Sequence, residues 1–285
     1  MASLKEVKGR IASVNNTLKI TSAMRMIASA KLHRSQLAAA SLNPYQKALK
    51  DIFIETIAGQ KDISSPYVEV RAIKRVAIVA VSSNSSLCGA FNANIEKMAK
   101  SVIEEYQGLG KDNIMLFPVG KKISKALTNQ KYSIENIDFS LVDKPTYPLC
   151  AQLAYKLMLL FRENRVDRVD LIYNHFKTTA NQVVKREIYL PLNSFNEIKN
   201  NPSDYIFEPG KEEIIEELID KVLVFKIFAI LWDSNAAEHA SRTVAMQLAS
   251  ENATKLIQEL TVQYNKSRQQ AITTELLDIM GGVAR

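Results

Sequence analysis

Glycine and proline are scarce in this chain of 285 residues, which has 9 glycines and 8 prolines. Together they make up about 6% of the sequence, roughly half the share found in an average globular protein. They are also unevenly placed, since none lies between residues 211 and 280. This excludes a collagen, a glycine- and proline-rich disordered chain and an all-β fold over the whole length. It predicts two long helical ends around a turn-rich middle.

Cysteine and histidine are also few. The two cysteines, Cys88 and Cys150, form no C-x-x-C pair, which argues against a zinc site and predicts two reduced thiols. The three histidines, His33, His175 and His239, lie in separate segments, and the sequence has no H-E-x-x-H motif. We therefore expect no metal site.

Motifs that bind nucleotides or carry catalysis are missing as well. The 120–124 segment has a lysine but lacks the preceding glycine-rich loop of a P-loop. The 108–110 segment, Gly-Leu-Gly, predicts a turn that ends a helix. Asp167 and Asp170 flank Arg168 near a strand start, a spacing that predicts a solvated surface cluster. We expect no catalytic or cofactor site and no stand-alone enzyme.

No apolar run is long enough to span a membrane. The most apolar stretch, 222–232, has eleven residues and includes Lys226, whereas a membrane span needs about 20. The first ten residues contain three basic side chains and no continuous apolar segment. A secretory signal is therefore not expected.

Positive charge is concentrated at the start of the chain. The net charge is +7, and residues 1–50 hold nine lysines and arginines against one acidic residue. A basic helix of this kind can bind nucleic acid, anionic lipid or an acidic protein surface. Charge alone leaves these three partners open.

The C-terminal segment predicts one long helix with a coiled-coil seam. Its seam residues recur every 3.5 residues, which is the repeat of a left-handed coiled coil. Eleven of the fourteen seam positions are apolar or aromatic. They are Leu218, Val222, Phe225, Ala229, Trp232, Ala236, His239, Thr243, Met246, Ser250, Ala253, Ile257, Leu260 and Tyr264. Gly281 and Gly282 are expected to end this helix.

A second long helix is predicted over residues 4–57. Its seam follows Leu4, Val7, Ile11, Val14 and Leu18 and then changes phase to Ile20, Met24 and Ile27. Such a phase change predicts a stutter or a change of neighbour. Both long helices border the middle segment at their inner ends, so we expect them to pair antiparallel. The longer C-terminal helix then extends about 16 residues, or about 24 Å, past its partner.

The middle of the chain alternates strands and helices. Strands are predicted over 75–82, 113–119, 134–139, 170–176 and 182–190, and helices over 92–107, 121–129 and 148–164. This order is typical of a layered fold with parallel strands, closed here by one hairpin. The fold class is therefore α+β/α/β: a long antiparallel coiled coil of the N- and C-terminal helices with an inserted Rossmann-like α/β domain. The predicted domains are a coiled-coil helix over 1–58, a globular domain over 66–208 and a second coiled-coil helix over 210–285.

Four segments carry a resemblance to a known family. They are 10–31 (RIASVNNTLKITSAMRMIASAK), 86–92 (SLCGAFN), 241–246 (SRTVAM) and 264–282 (YNKSRQQAITTELLDIMGG). Each resembles a segment of the gamma subunit of F-type ATP synthases, so the resemblance covers essentially the whole chain. The family usually has Ser-Asp-Arg/Lys-Gly before Leu-Cys-Gly, where this chain has Ser83-Asn-Ser-Ser86, and it usually has alanine where this chain has Val283. The cysteine insertion of chloroplast gamma subunits is absent, which implies a bacterial subunit without thiol regulation.

The resemblance implies a rotor. Such a subunit turns inside a hexamer of alternating alpha and beta subunits, and its foot rests with the epsilon subunit on the membrane ring of c subunits. Proton flow turns the ring, and the turning shaft changes the conformations of the catalytic beta subunits during ATP synthesis or hydrolysis. The chain itself would be non-catalytic, would bind no cofactor and no nucleic acid, and would be peripheral to the cytoplasmic face of the bacterial plasma membrane.

The resemblance also implies which residues contact partners. The expected contacts with the alpha/beta hexamer are Met24, Arg242, Arg268, Gln269 and Thr273, and the expected foot-domain loop is Leu87, Cys88 and Gly89. In the family, the first two lie where the shaft meets the beta subunits, and the next three lie where a beta loop grips the C-terminal helix. Packing within the coiled coil is an alternative explanation for Met24, because methionine commonly fills gaps there.

Two other functions remain open from the residues alone. One is a structural rod that homodimerises through its coiled coil. The other is a nucleic-acid binder that uses the basic residues of 1–50, although the sequence offers neither an aromatic platform nor a known nucleic-acid reading motif.

Overall fold

A computed structural model describes residues 4–57, 65–128, 132–135, 138–192, 208 and 210–283. The chain divides into two compact units, one made of the residues up to Ser29 with those from Arg242 onward, the other of Ala30–Ser241. The long helices α1 (Leu4–Ile57) and α6 (Lys211–Val283) contribute to both units. The predicted domain boundaries at 1–58, 66–208 and 210–285 remain a prediction.

The first unit is an antiparallel pair of helices. The hydroxyls of Thr21 on α1 and Ser250 on α6 lie 2.9 Å apart and share a buried hydrogen bond. Small residues such as Ser250 and Ala253 on this seam allow the two helices to approach closely. None of the fourteen predicted seam positions of α6 is exposed, and from Ala236 onward the 3.5-residue pattern identifies the packed face. Nearer the start of α6, residues beside the predicted seam are buried, among them Ile215, Ile219, Leu223 and Ile227.

The predicted phase change of the N-terminal seam is wrong. Ile20 and Ile27 are 60% and 59% exposed, while Thr21 and Ala28 are buried. The packed face therefore continues through small residues. Thr21 can lie on this buried face because its hydroxyl is hydrogen-bonded to Ser250. Ile20 and Ile27, each one position before a buried residue, face outward.

The end of α6 also differs from expectation. The helix continues through Gly281 and Gly282 to Val283. Glycine lowers helix propensity by about 1 kcal/mol per residue but keeps its backbone N–H, so it weakens a helix without stopping it.

The second unit is built on a five-stranded sheet with the strand order β3-β2-β1-β4-β5. The strands are β1 (Val76–Val81), β2 (Ile114–Val119), β3 (Ser133–Ile134), β4 (Arg168–Thr178) and β5 (Asn181–Leu190). The first four run parallel, and β5 returns antiparallel along β4 through the predicted hairpin. The apolar, β-branched composition of β1 suits this central position, which is buried on both faces.

Helices cover both faces of the sheet. They are α2 (Phe91–Glu105), α3 (Lys121–Thr128), α4 (Ser140–Asp143) and α5 (Tyr147–Arg162). One face packs on α2 and α3, and the other packs on α5 with the parts of α1 and α6 that belong to this unit. This arrangement confirms the long helical ends and the inserted Rossmann-like layer.

The strand predicted over 134–139 is mostly wrong. Pairing is limited to Ser133 and Ile134, residues 136–137 lie outside the described residues, and helix α4 begins at Ser140. The Asp138 carboxylate accepts a hydrogen bond from the Ser140 N–H at 2.8 Å, and this bond lowers the pKa of Asp138. An aspartate that bonds the backbone two residues on favours a turn over a strand.

Across the described ranges, which omit 58–64 and 193–207 among others, no helix combines the length and apolarity required to cross a membrane.

Candidate functional site

An apolar stripe lies on the outward side of α1. Ile20, Met24 and Ile27 follow each other at spacings of four and three residues and so share one helix face. Met24 is half-buried, and the two isoleucines beside it are exposed. The residues that the sequence assigned to an internal seam therefore form a surface available to a partner.

Basic side chains are exposed along α1, and Lys19 and Arg25 lie next to this stripe. All nine lysines and arginines of residues 1–50 are exposed. Arg10 forms an ion pair with Glu6, one turn earlier, at 2.8 Å. An exposed apolar stripe within a basic surface favours a partner that is apolar at its centre and acidic around it.

Arg242, which was predicted as a partner contact, is largely covered within the chain itself. Its exposed fraction is 9%, and the neighbouring Glu238 and His239 on the same helix are also buried. A long guanidinium side chain held this way offers only part of its surface to a partner. Its contact role remains a prediction.

The other predicted contacts lie beyond the paired part of α6. With Thr21 opposite Ser250 in an antiparallel pair, Leu4 falls opposite Ser267, and α6 continues to Val283. Arg268, Gln269 and Thr273 all lie in this extension and are exposed. The structure thus brings these three residues together on one helix end, and their contact role remains a prediction.

The same extension exposes large apolar side chains. They are Ile272, Leu276, Leu277, Ile279 and Met280, with exposed fractions between 48% and 71%. Gln269 and Thr273 share a helix face with Leu276 and Met280, and the Thr273 hydroxyl donates to the Gln269 carbonyl at 2.9 Å. Because the hydroxyl proton is used within the helix, Thr273 can still accept a hydrogen bond from outside.

The predicted foot-domain loop follows the carboxyl end of β1. The Asn92 side chain closes it, accepting from the Ser83 N–H at 3.0 Å and donating towards the Cys88 sulfur at 3.1 Å. Leu87 and Gly89 both have positive φ, 65° and 57°. Leu87 is exposed at the tip of the loop, whereas Cys88 points inward and is buried.

This loop is fastened to α6. The Ser241 hydroxyl donates to the Cys88 carbonyl at 2.7 Å, and Ala237 packs against Cys88 and Phe91. The sequence placed Ser241 and Cys88 in two separate family-like segments, but nothing in either segment indicated that they touch. Both residues hold the loop in place and leave Leu87 as the part that faces outward.

The departure from the family pattern at Asn84 has a local explanation. The Asn84 amide donates to the Asp143 carboxylate at 2.9 Å and to the Phe139 carbonyl at 2.7 Å, and its oxygen accepts from the Lys121 N–H at 3.1 Å. An aspartate at this position would place a second negative charge beside Asp143. Asparagine therefore suits the neighbours that this chain provides.

The expected surface cluster at 167–170 is wrong for Asp170. Asp170 is fully buried and accepts from the Tyr106 hydroxyl at 2.9 Å, Arg168 Nε at 2.9 Å and Arg186 Nη2 at 2.7 Å. Burial alone lowers the pKa of Arg186, but its hydrogen bonds with Glu105 and Asp170 raise that pKa well above its ordinary value. Burial, and then the Asp170 charge, raise the pKa of Tyr106. This network joins α2 to the hairpin and is structural.

Both cysteines are buried thiols. Burial raises the pKa of Cys150 to about 12. A thiol held neutral in this way is a poor nucleophile, which is consistent with a packing role under the sheet.

Known proteins resemble the chain over its full length. The model of the ATP synthase family matches residues 3–284. The ATP synthase gamma chain of Phocaeicola vulgatus is 51% identical over 286 residues, which cover 99% of each chain. The ATP synthase gamma chain of Bacteroides fragilis is 53% identical over 288 residues, again with 99% of each chain covered.

Solved structures of ATP synthases also contain chains that are similar to this one. A chain in the central stalk and c-ring structure of the Tetrahymena thermophila mitochondrial ATP synthase is 28% identical with a TM-score of 0.59, covering 81% of this chain and 99% of its own. A chain from the Euglena gracilis mitochondrial ATP synthase has a TM-score of 0.65 over 99% of this chain and 93% of its own. Its identity of 19% makes that second likeness one of fold alone.

Proposed function

Because this chain belongs to the gamma-chain family of ATP synthases, we propose that it is the central-stalk rotor of an F-type ATP synthase. In that role it turns within a hexamer of alternating alpha and beta subunits and has no active site of its own. Its foot contacts the epsilon subunit and the ring of c subunits. Proton flow through the ring drives the turning, and the enzyme makes or hydrolyses ATP.

The exposed end of α6 is the observation that carries this proposal. Five large apolar side chains are exposed between Ile272 and Met280, beyond Ser267, which falls opposite Leu4 at the described start of α1. A helix end that exposes a row of apolar side chains is a site for a partner surface. A shaft end held inside a sleeve of other subunits provides that surface, with Gln269 and Thr273 as polar contacts on the same face.

The outward stripe of α1 supports the same role. Ile20, Met24 and Ile27 present an apolar surface among exposed bases, which fits acidic segments of the beta subunits. Met24 and Arg242 are then the contacts of the shaft with those subunits. Since the shaft presents different faces in different directions, each beta subunit meets a different surface and is biased towards a different conformation.

The globular unit serves as the foot in this proposal. Leu87 is exposed at the tip of the loop that Ser241 holds against α6. This makes the segment of Leu87, Cys88 and Gly89 a contact for partners near the membrane. The chain is then a peripheral protein at the cytoplasmic face of the plasma membrane, held there through the c-ring.

Co-purification tests the assembly. A tagged copy of the full chain, expressed in its native cell, should be recovered with alpha and beta ATPase subunits in a ratio of one to three of each. Recovery of a stable homodimer without ATPase subunits, measured by analytical ultracentrifugation, would favour a self-associating rod and overturn the rotor assignment.

The polar contacts of the α6 end give a second prediction. The double change Gln269→Leu with Thr273→Val should lower the ATPase rate of the reconstituted complex about thirtyfold, since two polar contacts of about 1 kcal/mol each are removed. The isolated chain should keep its unfolding midpoint, because both side chains are exposed.

The next helix positions supply a matched control. Gln270 and Thr274 are also exposed, and the Thr274 hydroxyl donates to the Gln270 carbonyl at 3.0 Å. Gln270→Leu with Thr274→Val makes the same chemical change about 100° around the helix. Equal loss of ATPase activity in both double variants would contradict a contact specific to Gln269 and Thr273.

A further inference from the structure

A cavity of about 540 Å³ lies within the second unit. It is bounded by α1, by the hairpin of β4 and β5, and by α6. Sites for small molecules typically enclose about 300–1,000 Å³ and combine apolar walls with a few polar groups. The lining of this cavity has both.

The apolar wall comes from the two long helices. Leu49 and Phe53 of α1 face Phe225, Ala229 and Ile230 of α6 across the cavity. All but Ala229 are buried in the fold, and Ala229 is half-buried. The small side chain of Ala229 leaves space among larger neighbours, so the wall can accept an aliphatic or aromatic group.

The two carboxylates that line the cavity are already occupied. Asp233 accepts from the Phe176 N–H at 3.0 Å and lies 2.6 Å from Nδ1 of His175. Glu187 accepts from the Tyr173 hydroxyl at 2.6 Å. Each of the two carboxylates therefore already has a hydrogen-bond partner within the fold.

Two lysines that line the cavity, Lys226 and Lys185, can donate further hydrogen bonds. Lys226 Nζ donates to the Ile188 carbonyl at 3.2 Å and lies 3.8 Å from the Glu187 carboxylate. An ammonium has three donors, so Lys226 can bind a further acceptor. Burial lowers the pKa of Lys226, with the Glu187 charge opposing that shift. Within the described part of the chain, Lys185, on the same face of β5 as Glu187, has no carboxylate within 4.0 Å.

We propose that this cavity binds a small amphipathic carboxylate, of the size of a medium-chain fatty acid. Its tail packs against Phe53, Phe225 and Ala229, and its carboxylate accepts hydrogen bonds from Lys226 and Lys185. An anion is favoured over a cation because three lysines, Lys50, Lys185 and Lys226, line the cavity against two carboxylates. Binding stabilises the joint between α1, the hairpin and α6, since a ligand of the folded state adds to its stability.

Calorimetric titration of the full-length chain with dodecanoate, below its micellar concentration, tests this proposal. We expect one saturable site, and binding at least tenfold weaker to Lys226→Met. Dodecanol, which has the same tail and no charge, should also bind at least tenfold more weakly.

Lys221→Met is the matched control. Lys221 is five residues before Lys226 on α6, is exposed, and pairs with Glu217 on its own helix at 2.7 Å. It should bind dodecanoate as the unchanged chain does. If Lys226→Met does not fold, Lys185→Met tests the same carboxylate position and should weaken binding at least threefold. The proposal is overturned by absence of saturable binding, by equal affinity for dodecanol, or by equal affinity in the Lys221 and Lys226 variants.

Discussion

Replacing Asp170 with asparagine should lower the free energy of unfolding by about 2–4 kcal/mol. The carboxylate is fully buried and accepts hydrogen bonds from Tyr106, Arg168 and Arg186. An amide is neutral and has one acceptor oxygen, so two guanidinium groups lose their buried counter-charge. Urea unfolding of the full chain measures the effect, followed by the fluorescence of Trp232, the single tryptophan.

Two other variants test whether the stabilisation comes from the buried charge of Asp170 or from the neutral hydrogen bond of Tyr106. Tyr106→Phe removes one neutral donor and should cost about 1 kcal/mol. Asp112→Asn changes an exposed aspartate and should shift stability by less than about 0.5 kcal/mol. An Asp170→Asn variant as stable as Asp112→Asn would show that the buried ion pairs contribute nothing to the fold.

Asp170 also shows where the sequence could not predict the structure. The local pattern of Asp167, Arg168 and Asp170 resembles a solvated cluster, and its other partners lie far away in the chain. Arg186 follows on the next strand, and Tyr106 comes directly after α2. A buried polar network is made by tertiary contacts, so neither spacing nor composition indicates it.

Repeating patterns, by contrast, predicted most of the fold. The strand over 76–81 follows from a run of apolar β-branched residues, and the packed face of α6 from Ala236 onward follows from its 3.5-residue repeat. The unpaired end of α6 could be predicted from the two helix lengths alone. The seam of α1 was assigned wrongly after Leu18 because the pattern ranks isoleucine above threonine and alanine, whereas close helix packing favours the smaller residues.

The candidate site, like the fold, could be predicted from the sequence only in part. The positions of Arg268, Gln269 and Thr273 came from resemblance, and the structure places all three on one exposed helix end. The contact of Ser241 with the Cys88 carbonyl and the cavity around Lys226 could not be predicted. Both depend on how α6 packs against the globular layer, which no local pattern encodes.

Replacing Gly120 with alanine should lower the free energy of unfolding by about 3–5 kcal/mol. Gly120 forms the turn between β2 and α3 with a φ of +119°, which residues with a side chain rarely adopt. A Cβ there would lie 2.3 Å from the Ser82 carbonyl oxygen. The clash cannot be relieved easily, because the Ser82 N–H donates to the Val119 carbonyl at 2.8 Å and its hydroxyl accepts from the Ile123 N–H at 3.0 Å.

Gly108→Ala is the control for this prediction, because it adds the same methyl group where no atom lies within 4 Å. It should leave the unfolding midpoint unchanged or raise it slightly, since alanine restricts the unfolded chain more than glycine does. Thermal unfolding of both variants, followed by circular dichroism, gives the comparison. Equal midpoints for Gly120→Ala and Gly108→Ala would mean that β1 and the start of α3 can move apart at Ser82.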